Sequence, residues 1–157
     1  MVNNWRNIVQ NYLFPATCLL CGEAGQGSLD LCPSCHKALP ENHHCCPKCA
    51  EPFIKPVPSA SLCGRCQSQQ FFFDETFAPF IYSGGIRYLI QALKYNAHLE
   101  NARLLGTLLA DNLPGHSKLP ELILPVPLHK ARYRERGFNQ SIEIARSMAK
   151  QLQYRWI

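Results

Sequence analysis

The stretch CLLCGEAGQGSLDLCPSC, residues 18–35, contains two Cys-x-x-Cys pairs separated by ten residues. A Cys-x-x-Cys turn places two sulfurs on one side of a tight loop, and two such turns complete a tetrahedral site of four thiolates that suits Zn²⁺. A second copy follows in residues 46–66, with 13 residues between its two pairs. The pattern therefore predicts a double zinc ribbon with two structural zinc ions. The predicted ligands are Cys18, Cys21, Cys32, Cys35, Cys46, Cys49, Cys63 and Cys66.

The pairing of the four turns stays open at the level of the sequence. Sequential pairing joins the first turn to the second and the third to the fourth, whereas interleaved pairing joins the first to the third and the second to the fourth. We favour sequential pairing, because closing short loops costs less chain entropy. A redox role for one Cys-x-x-Cys and an iron–sulfur cluster are the rival interpretations, and the four copies and their ribbon spacing favour zinc.

Four further potential ligands lie close to these turns. Cys45 is the ninth cysteine and belongs to no pair, so we expect a spare, partly buried thiol. His36, His43 and His44 are candidates to replace a ligand, but with eight well-spaced cysteines we expect them to face solvent. Because protein sulfurs fill every position of both sites, neither zinc is expected to activate water, and both are expected to hold the fold together.

The composition describes a packed globular protein, with 46% apolar and 17% charged residues. No run approaches the roughly 20 apolar residues that a membrane span needs, so no membrane span is predicted. The N-terminus carries no secretion signal, and nine cysteines without one favour thiolates in a reducing compartment, so we expect a cytoplasmic location. Residues 1–17 have apolar side chains at helical spacing, which predicts a short N-terminal helix.

After the ribbon, which we place at residues 18–66, the pattern changes to that of an α/β domain over residues 71–157. A strand is predicted at Thr76–Tyr82 and another at Leu122–Val126. Helices are predicted around residues 86–93, from Leu99 to Leu113 with a closing Pro114-Gly115 turn, and from Asn139 to Gln153. This order of elements is typical of a parallel sheet flanked by helices.

A dense group of cations follows the second predicted strand, in PVPLHKARYRERGFNQS, residues 125–141. The chain has a net charge of +5, and residues 129–157 hold seven Lys/Arg against two acids. A loop at the carboxyl end of a strand, followed by a helix N-terminus, is a natural anion site, and Arg side chains match phosphate oxygens. We predict a phosphate or pyrophosphate cradle; contacts to a nucleic-acid backbone and a solvated basic turn are the alternatives. Lys94, near a helix end, is a weaker candidate for substrate binding. The triple Phe at residues 71–73 is a weaker candidate for stacking with single-stranded nucleic acid.

The basic stretch, the four cysteine turns and the segment FAPFIYSGGIRYLIQALKY together resemble the ComF/GntX family of competence and DNA-utilisation proteins. The resemblance implies a type I phosphoribosyltransferase fold that binds 5-phosphoribosyl 1-diphosphate with Mg²⁺, as well as a role in DNA uptake. It also implies pyrophosphate-binding roles for residues of the basic stretch. These residues are Lys130, Arg132, Arg134, Arg136 and Gly137.

The family's acidic loop for ribose 5-phosphate, with its Thr-Thr-Gly run, does not occur in these 157 residues. We therefore expect a partial phosphoribosyltransferase-like domain that is inactive by itself. The alternative hypothesis is a non-enzymatic zinc-ribbon adaptor that binds single-stranded DNA or DNA-uptake proteins. The two hypotheses differ in whether the cations hold a small diphosphate ligand or a DNA strand.

Overall fold

The computed structural model describes residues 15–55, 57–58, 60–113 and 121–154 of the chain. The predicted N-terminal helix lies almost wholly outside these residues, as does the predicted Pro114-Gly115 turn. Within the described residues the chain forms a double ribbon, followed by a helical region. The helices are α1 (Pro33–Lys37), α2 (Gly64–Ser68), α3 (Gly84–Asn96), α4 (Glu100–Asp111), α5 (Lys130–Arg136) and α6 (Gln140–Leu152).

Each ribbon is built from a knuckle and a short helix. Isolated antiparallel bridges shape the knuckles, Thr17 with Ala24 in the first and Cys45 with Pro52 in the second. In the first ribbon α1 begins directly after Cys32, whose sulfur accepts a hydrogen bond from the Cys35 N–H while Pro33 occupies the first helical turn. Proline suits that position because its missing N–H has no partner there in any helix.

The hydrophobic core joins the first ribbon to the helical region. Leu31 and Leu39 of the ribbon are buried in one cluster with Leu89 and Leu93 of α3 and with three leucines of α4. An ion pair between Asp30 and Arg103 of α4 crosses the same boundary. The first ribbon therefore shares the hydrophobic core of the helical region and is not packed as an independent module.

The long helices confirm three sequence predictions. Apolar side chains at helical spacing bury one face each of α3, α4 and α6. Helices α4 and α6 cross closely at Gly106, where an added Cβ would lie 2.6 Å from the Ser147 Cβ and 2.7 Å from the Ile144 carbonyl oxygen. A side chain at residue 106 would therefore separate the two helices.

The predicted strand at Thr76–Tyr82 is wrong. The segment is extended, but its ladder is reduced to one isolated antiparallel bridge between Phe80 and Glu41. Its backbone bonds go to the ribbon: the Thr76 N–H donates to the Lys48 carbonyl at 2.8 Å, and the Ile81 N–H donates to the Pro40 carbonyl at 2.7 Å. The β-prone aromatic residues thus line the ribbon and do not form part of a parallel sheet.

The predicted strand at Leu122–Val126 is also not formed as a strand. Ile123 forms one isolated bridge, the other residues of the segment have no regular secondary structure, and Leu124 and Val126 are exposed. Within the described residues no neighbouring strand pairs with them, so the parallel sheet of the expected α/β fold is not observed there. The part of the chain that the structure describes is a double ribbon followed by a helical region.

Candidate metal centres and anion pocket

The first metal centre gathers the sulfurs of Cys18, Cys21, Cys32 and Cys35, which all lie within 4.8 Å of one another. The Cys21 and Cys32 sulfurs are 3.7 Å apart. Tetrahedral coordination at the Zn–S length of about 2.3 Å gives sulfur–sulfur distances of about 3.8 Å. The group therefore fits a single zinc ion, and it confirms sequential pairing over the interleaved alternative.

The second metal centre repeats this geometry with Cys46, Cys49, Cys63 and Cys66, again within 4.8 Å. The Cys49 and Cys63 sulfurs are 3.6 Å apart. The Cys63 N–H donates to the Cys46 sulfur at 3.4 Å, which ties the two turns of the centre together. Both clusters are thus consistent with two zinc ions.

The two knuckles share a backbone device immediately after their second cysteine. Gly22 has φ +82° and Ala50 has φ +57°, both in the left-handed region. At each, the N–H donates to the carbonyl oxygen of the knuckle's first cysteine, at 2.9 Å and 2.8 Å respectively. Glycine adopts this conformation without steric cost, whereas Ala50 is held there by the turn, so the turn geometry tolerates a Cβ at this position.

Backbone N–H groups prepare one sulfur in each centre for metal binding. Burial opposes the thiolate of Cys18, but N–H donors from Cys32, Leu20 and Cys21 outweigh it and lower the pKa of Cys18 to about 6. In the second centre burial is likewise outweighed by backbone donors, and the pKa of Cys46 falls to about 6. Each centre therefore contains a sulfur that favours the thiolate form, which is the form that binds zinc.

A partner sulfur in each centre has the opposite tendency. Hydrogen bonding with Cys21 and then Cys32 raises the pKa of Cys35 to about 12. Burial, followed by contacts with Cys49 and Cys63, raises the pKa of Cys66 to about 12. Four crowded sulfurs cannot all carry charge without a cation, so the arrangement suits a divalent ion at the middle of each cluster.

The ninth cysteine directly precedes the ligand Cys46 but is not one of the four sulfurs of either centre. Cys45 is half-buried and lines a pocket of about 370 Å³ together with His43 and His44. Burial raises the pKa of Cys45, which keeps it a neutral thiol. Neither Cys45 nor the histidines join a group of metal ligands among the described residues.

A second pocket, of about 380 Å³, lies where α3, the extended segment before α5, and the start of α6 meet. We call it the anion pocket. Its polar side chains come from Lys94 of α3, Arg136 of α5, and Asn139, Gln140 and Ser141 at the start of α6. Apolar side chains complete its lining, namely Ile90, Leu93, Val126, Pro127, Leu128 and Ile144.

The Asn139 side chain joins two of the segments that line this pocket. Its side-chain oxygen accepts a hydrogen bond from the Ser141 N–H at 3.0 Å, which caps α6. Its amide nitrogen donates to the Val126 carbonyl at 2.9 Å, which holds the extended segment against the helix start. Asn139 is therefore the N-cap residue of α6, a position that asparagine favours.

Two buried donors in the pocket have no hydrogen-bond partner within the described chain. Arg136 Nη1 donates to the Gln140 side-chain oxygen at 3.0 Å, which leaves Arg136 Nε and Gln140 Nε2 unpaired. The Gln140 residue is only 6% exposed. Unpaired buried donors are costly, and together with Lys94 and the positive end of the α6 dipole they favour an anionic ligand with several oxygen acceptors.

The structure separates the residues that the sequence grouped as a pyrophosphate cradle. The expected loop is the helix α5, so its side chains point in different directions. Arg136 lines the pocket, whereas Lys130, Arg132 and Arg134 are exposed and outside the lining. Gly137 ends α5 in the left-handed conformation, with φ +79°.

Gln140 lines the pocket but was not predicted from the sequence as a ligand contact. Gln140 follows the cap residue of an amphipathic helix, and that position is the signal that marks it. Lys94 had only a weak claim, and its place in the lining strengthens that claim. The lining contains no carboxylate among the described residues.

One known protein family matches the ribbon part of the chain. The double zinc ribbon domain family matches residues 9–67 of this chain. No solved structure matches it. Among the described residues, no helix combines the length and the apolar character that crossing a membrane requires.

Several curated proteins are similar over most of the chain. The DNA utilization protein YhgH of Escherichia coli O6:H1 is 30% identical over 149 residues, which cover 90% of this chain and 64% of that protein. The protein of the same name from Salmonella typhimurium is 28% identical, with the same coverage. Competence protein F of Haemophilus influenzae is 29% identical over 145 residues, covering 88% of this chain and 62% of that protein. The chain thus spans a little under two thirds of the length of these relatives.

Proposed function

We propose that this chain belongs to the ComF/GntX family, that it serves in the use of DNA and that its anion pocket binds a diphosphate ligand, because it is similar to YhgH and competence protein F over most of its length. The ligand class we infer is pyrophosphate or 5-phosphoribosyl 1-diphosphate. In this proposal the two zinc ions are structural. The pocket is the pyrophosphate side of a phosphoribosyltransferase-like site.

The observation that carries the proposal is the pair of unpaired, buried donors on Arg136 and Gln140. Both residues line the pocket, and they are hydrogen-bonded to each other. Lys94 adds a third cationic or donor group on the opposite element, α3. A diphosphate offers oxygens to all three, and the α6 N-terminus adds its dipole.

We propose no binding site for the ribose and its 5-phosphate among these residues. In a phosphoribosyl transfer the enzyme must stabilise charge on the departing pyrophosphate, which an Arg, a Lys and Mg²⁺ are suited to do. Ribose hydroxyls and the 5-phosphate need further groups. We therefore expect ligand binding by this chain and no turnover by this chain alone.

Isothermal titration calorimetry of the zinc-loaded chain with inorganic pyrophosphate, with and without Mg²⁺, tests the proposal. Arg136→Ala removes a charge-assisted hydrogen bond, which is worth about 1.5–3 kcal/mol. We expect pyrophosphate to bind the variant about 10- to 100-fold more weakly. The same loss is expected with 5-phosphoribosyl 1-diphosphate.

Lys150→Ala is the matched control, because Lys150 is an exposed cation on α6 that lies outside the pocket lining. It changes the net charge by the same amount and should leave the titration unchanged. Equal affinity of the wild type and Arg136→Ala, or no heat with either ligand, would contradict the proposal. The second result would favour the alternative function, a non-enzymatic adaptor.

A further inference from the structure

Three exposed tyrosines lie on the helices beside the anion pocket. Tyr88 and Tyr95 of α3 are 55% and 68% exposed, and Tyr133 of α5 is 50% exposed. Tyr88 and Tyr95 are seven residues apart, so they share one face of α3 with a rise of about 10.5 Å between them. That rise equals about three base steps of about 3.4 Å. We call these three side chains, two on one face of α3 and one on α5, the tyrosine face.

The helices that carry the tyrosine face are strongly basic. Together α3 and α5 hold six cations and one carboxylate, a net charge equal to that of the whole chain. The carboxylate, Glu135, is paired with Arg132 at 2.7 Å. For Arg87, Lys130 and Arg134, which are exposed, the described residues contain no ion-pair partner. The positive charge of the chain is thus concentrated around exposed aromatic rings.

Tyr95 is the point at which the rings and cations meet. The Arg136 guanidinium lies over its ring, 5.5 Å from the centroid. The pKa of Arg132 is raised by its bond to Glu135 and also by its proximity to Tyr95. Cations beside an exposed ring are the two elements of a surface for single strands, since bases stack on the ring and phosphates contact the cations.

A second group of exposed aromatic side chains lies on the ribbon side, but it is not surrounded by an excess of positive charge. Phe72 is fully exposed, and Lys48 and Arg65 contact its neighbours Phe73 and Phe71. Asp74 and Glu75 follow directly in the sequence, however, and Glu51 acts on Arg65. Nearby carboxylates oppose a polyanion, so the tyrosine face is the better candidate of the two.

We propose that the tyrosine face, with Arg87, Lys130 and Arg134, binds single-stranded nucleic acid. The proposal extends the DNA-related part of the proposed function to a defined surface. It does not depend on diphosphate binding, because neither Tyr88 nor Tyr133 lines the anion pocket. Bases stack on the tyrosines, while the strand's phosphates contact the exposed cations of α3 and α5.

Fluorescence anisotropy of the zinc-loaded chain with labelled dT20 tests this surface at 50 to 200 mM salt. Each of Tyr88→Ala and Tyr133→Ala removes a stacking partner and should weaken binding by about 5- to 150-fold. Tyr88→Phe should keep most of the affinity, because the ring remains. Arg87→Ala should reduce the salt slope by about 0.7, as expected for one lost phosphate contact on a single strand.

Two control variants remove similar groups elsewhere. Phe72→Ala deletes an exposed ring on the ribbon side, and Lys150→Ala deletes an exposed cation on α6; both should bind dT20 as the wild type does. A duplex of equal length should bind more weakly than dT20, and rU20 compared with dT20 shows which nucleic acid is preferred. Zinc content and circular dichroism identify any variant that does not fold. If one of Tyr88→Ala, Tyr133→Ala and Arg87→Ala does not fold, the other two test the proposal.

The proposal is overturned if dT20 does not bind at 50 mM salt. It is also overturned if dT20 binds but well-folded Tyr88→Ala and Tyr133→Ala bind it as tightly as the wild type, since the surface would then be a general polyanion contact. Titration of the same two tyrosine variants with pyrophosphate separates this outcome from the proposed function. Their pyrophosphate affinity should be unchanged, whichever result the DNA titration gives.

Discussion

Asn139 connects two segments that would otherwise meet only through side-chain packing. One side chain caps α6 through its oxygen and holds the Val126 carbonyl through its nitrogen. The residue is 6% exposed, so the Asn139 side of both bonds is shielded from water. Because the same residue lines the anion pocket, the shape of the pocket depends on it.

Asn139→Ala should therefore destabilise the fold by about 1–2 kcal/mol through the lost cap, with a further loss from the unpaired Val126 carbonyl. Urea denaturation followed by circular dichroism measures the change. Asn139→Ser is the matched variant, because a serine oxygen still caps the helix but cannot donate across to residue 126. A serine variant as unstable as the alanine variant would show that the cap contributes little.

The sequence predicted a group of cations near the candidate site, but not which of them line the pocket. The density of cations in residues 130–136 indicated an anion site, and Arg136 does line a pocket. The sequence could not distinguish Arg136 from its neighbours, because that distinction depends on α5 being a helix. In a helix, successive residues are rotated by about 100°, so only some of a run of cations can face one ligand.

At the scale of elements, the three long helices were predictable, whereas the strands and the short helices were not. The apolar periodicity of α3, α4 and α6 predicts which face is buried, and the core agrees. An extended apolar segment carries no such information about its partner. The segment Thr76–Tyr82 satisfies its backbone through ribbon carbonyls, and a run of β-prone residues cannot show whether its partner is a strand or a knuckle.

The crossing of α4 and α6 depends on Gly106. An added Cβ would lie 2.6 Å from the Ser147 Cβ and 3.0 Å from the Met148 N, and the backbone of α6 cannot move away locally. We expect Gly106→Ala to lower the free energy of unfolding by about 1–3 kcal/mol, even though alanine is the better helix former. The midpoint of urea denaturation checks this value.

Gly64→Ala provides the control for this prediction. Gly64 begins α2, and an added Cβ there meets nothing within 4 Å. The gain in helix propensity should leave stability unchanged or raised by up to about 1 kcal/mol. If both alanine variants change the midpoint in the same direction and by the same amount, the close crossing of α4 and α6 does not require a glycine at residue 106.

At the scale of the whole molecule, the two metal centres are not equivalent. Cys18 and Cys32 of the first centre are buried within the same cluster as the leucines of α3 and α4, and Cys35 packs against it. Cys46 and Cys66 of the second centre are buried too, but they lie outside that cluster. The first zinc therefore supports the helical region, while the second supports mainly its own ribbon.

Single substitutions in the two centres should accordingly have different consequences. Cys35→Ser should reduce the zinc content from about two ions to about one, and should also reduce the helical circular dichroism signal, because the core loses one wall. Cys66→Ser should release one zinc and leave most of the helical signal intact, since α3, α4 and α6 keep their contacts. Elemental analysis and circular dichroism of the same samples measure both effects. If the two variants lose helical signal equally, the second ribbon also supports the core. That support would run through the Asn42 side chain, which donates to the Ala50 and Ala78 carbonyls at 3.0 and 3.1 Å and so links that ribbon to the segment before α3.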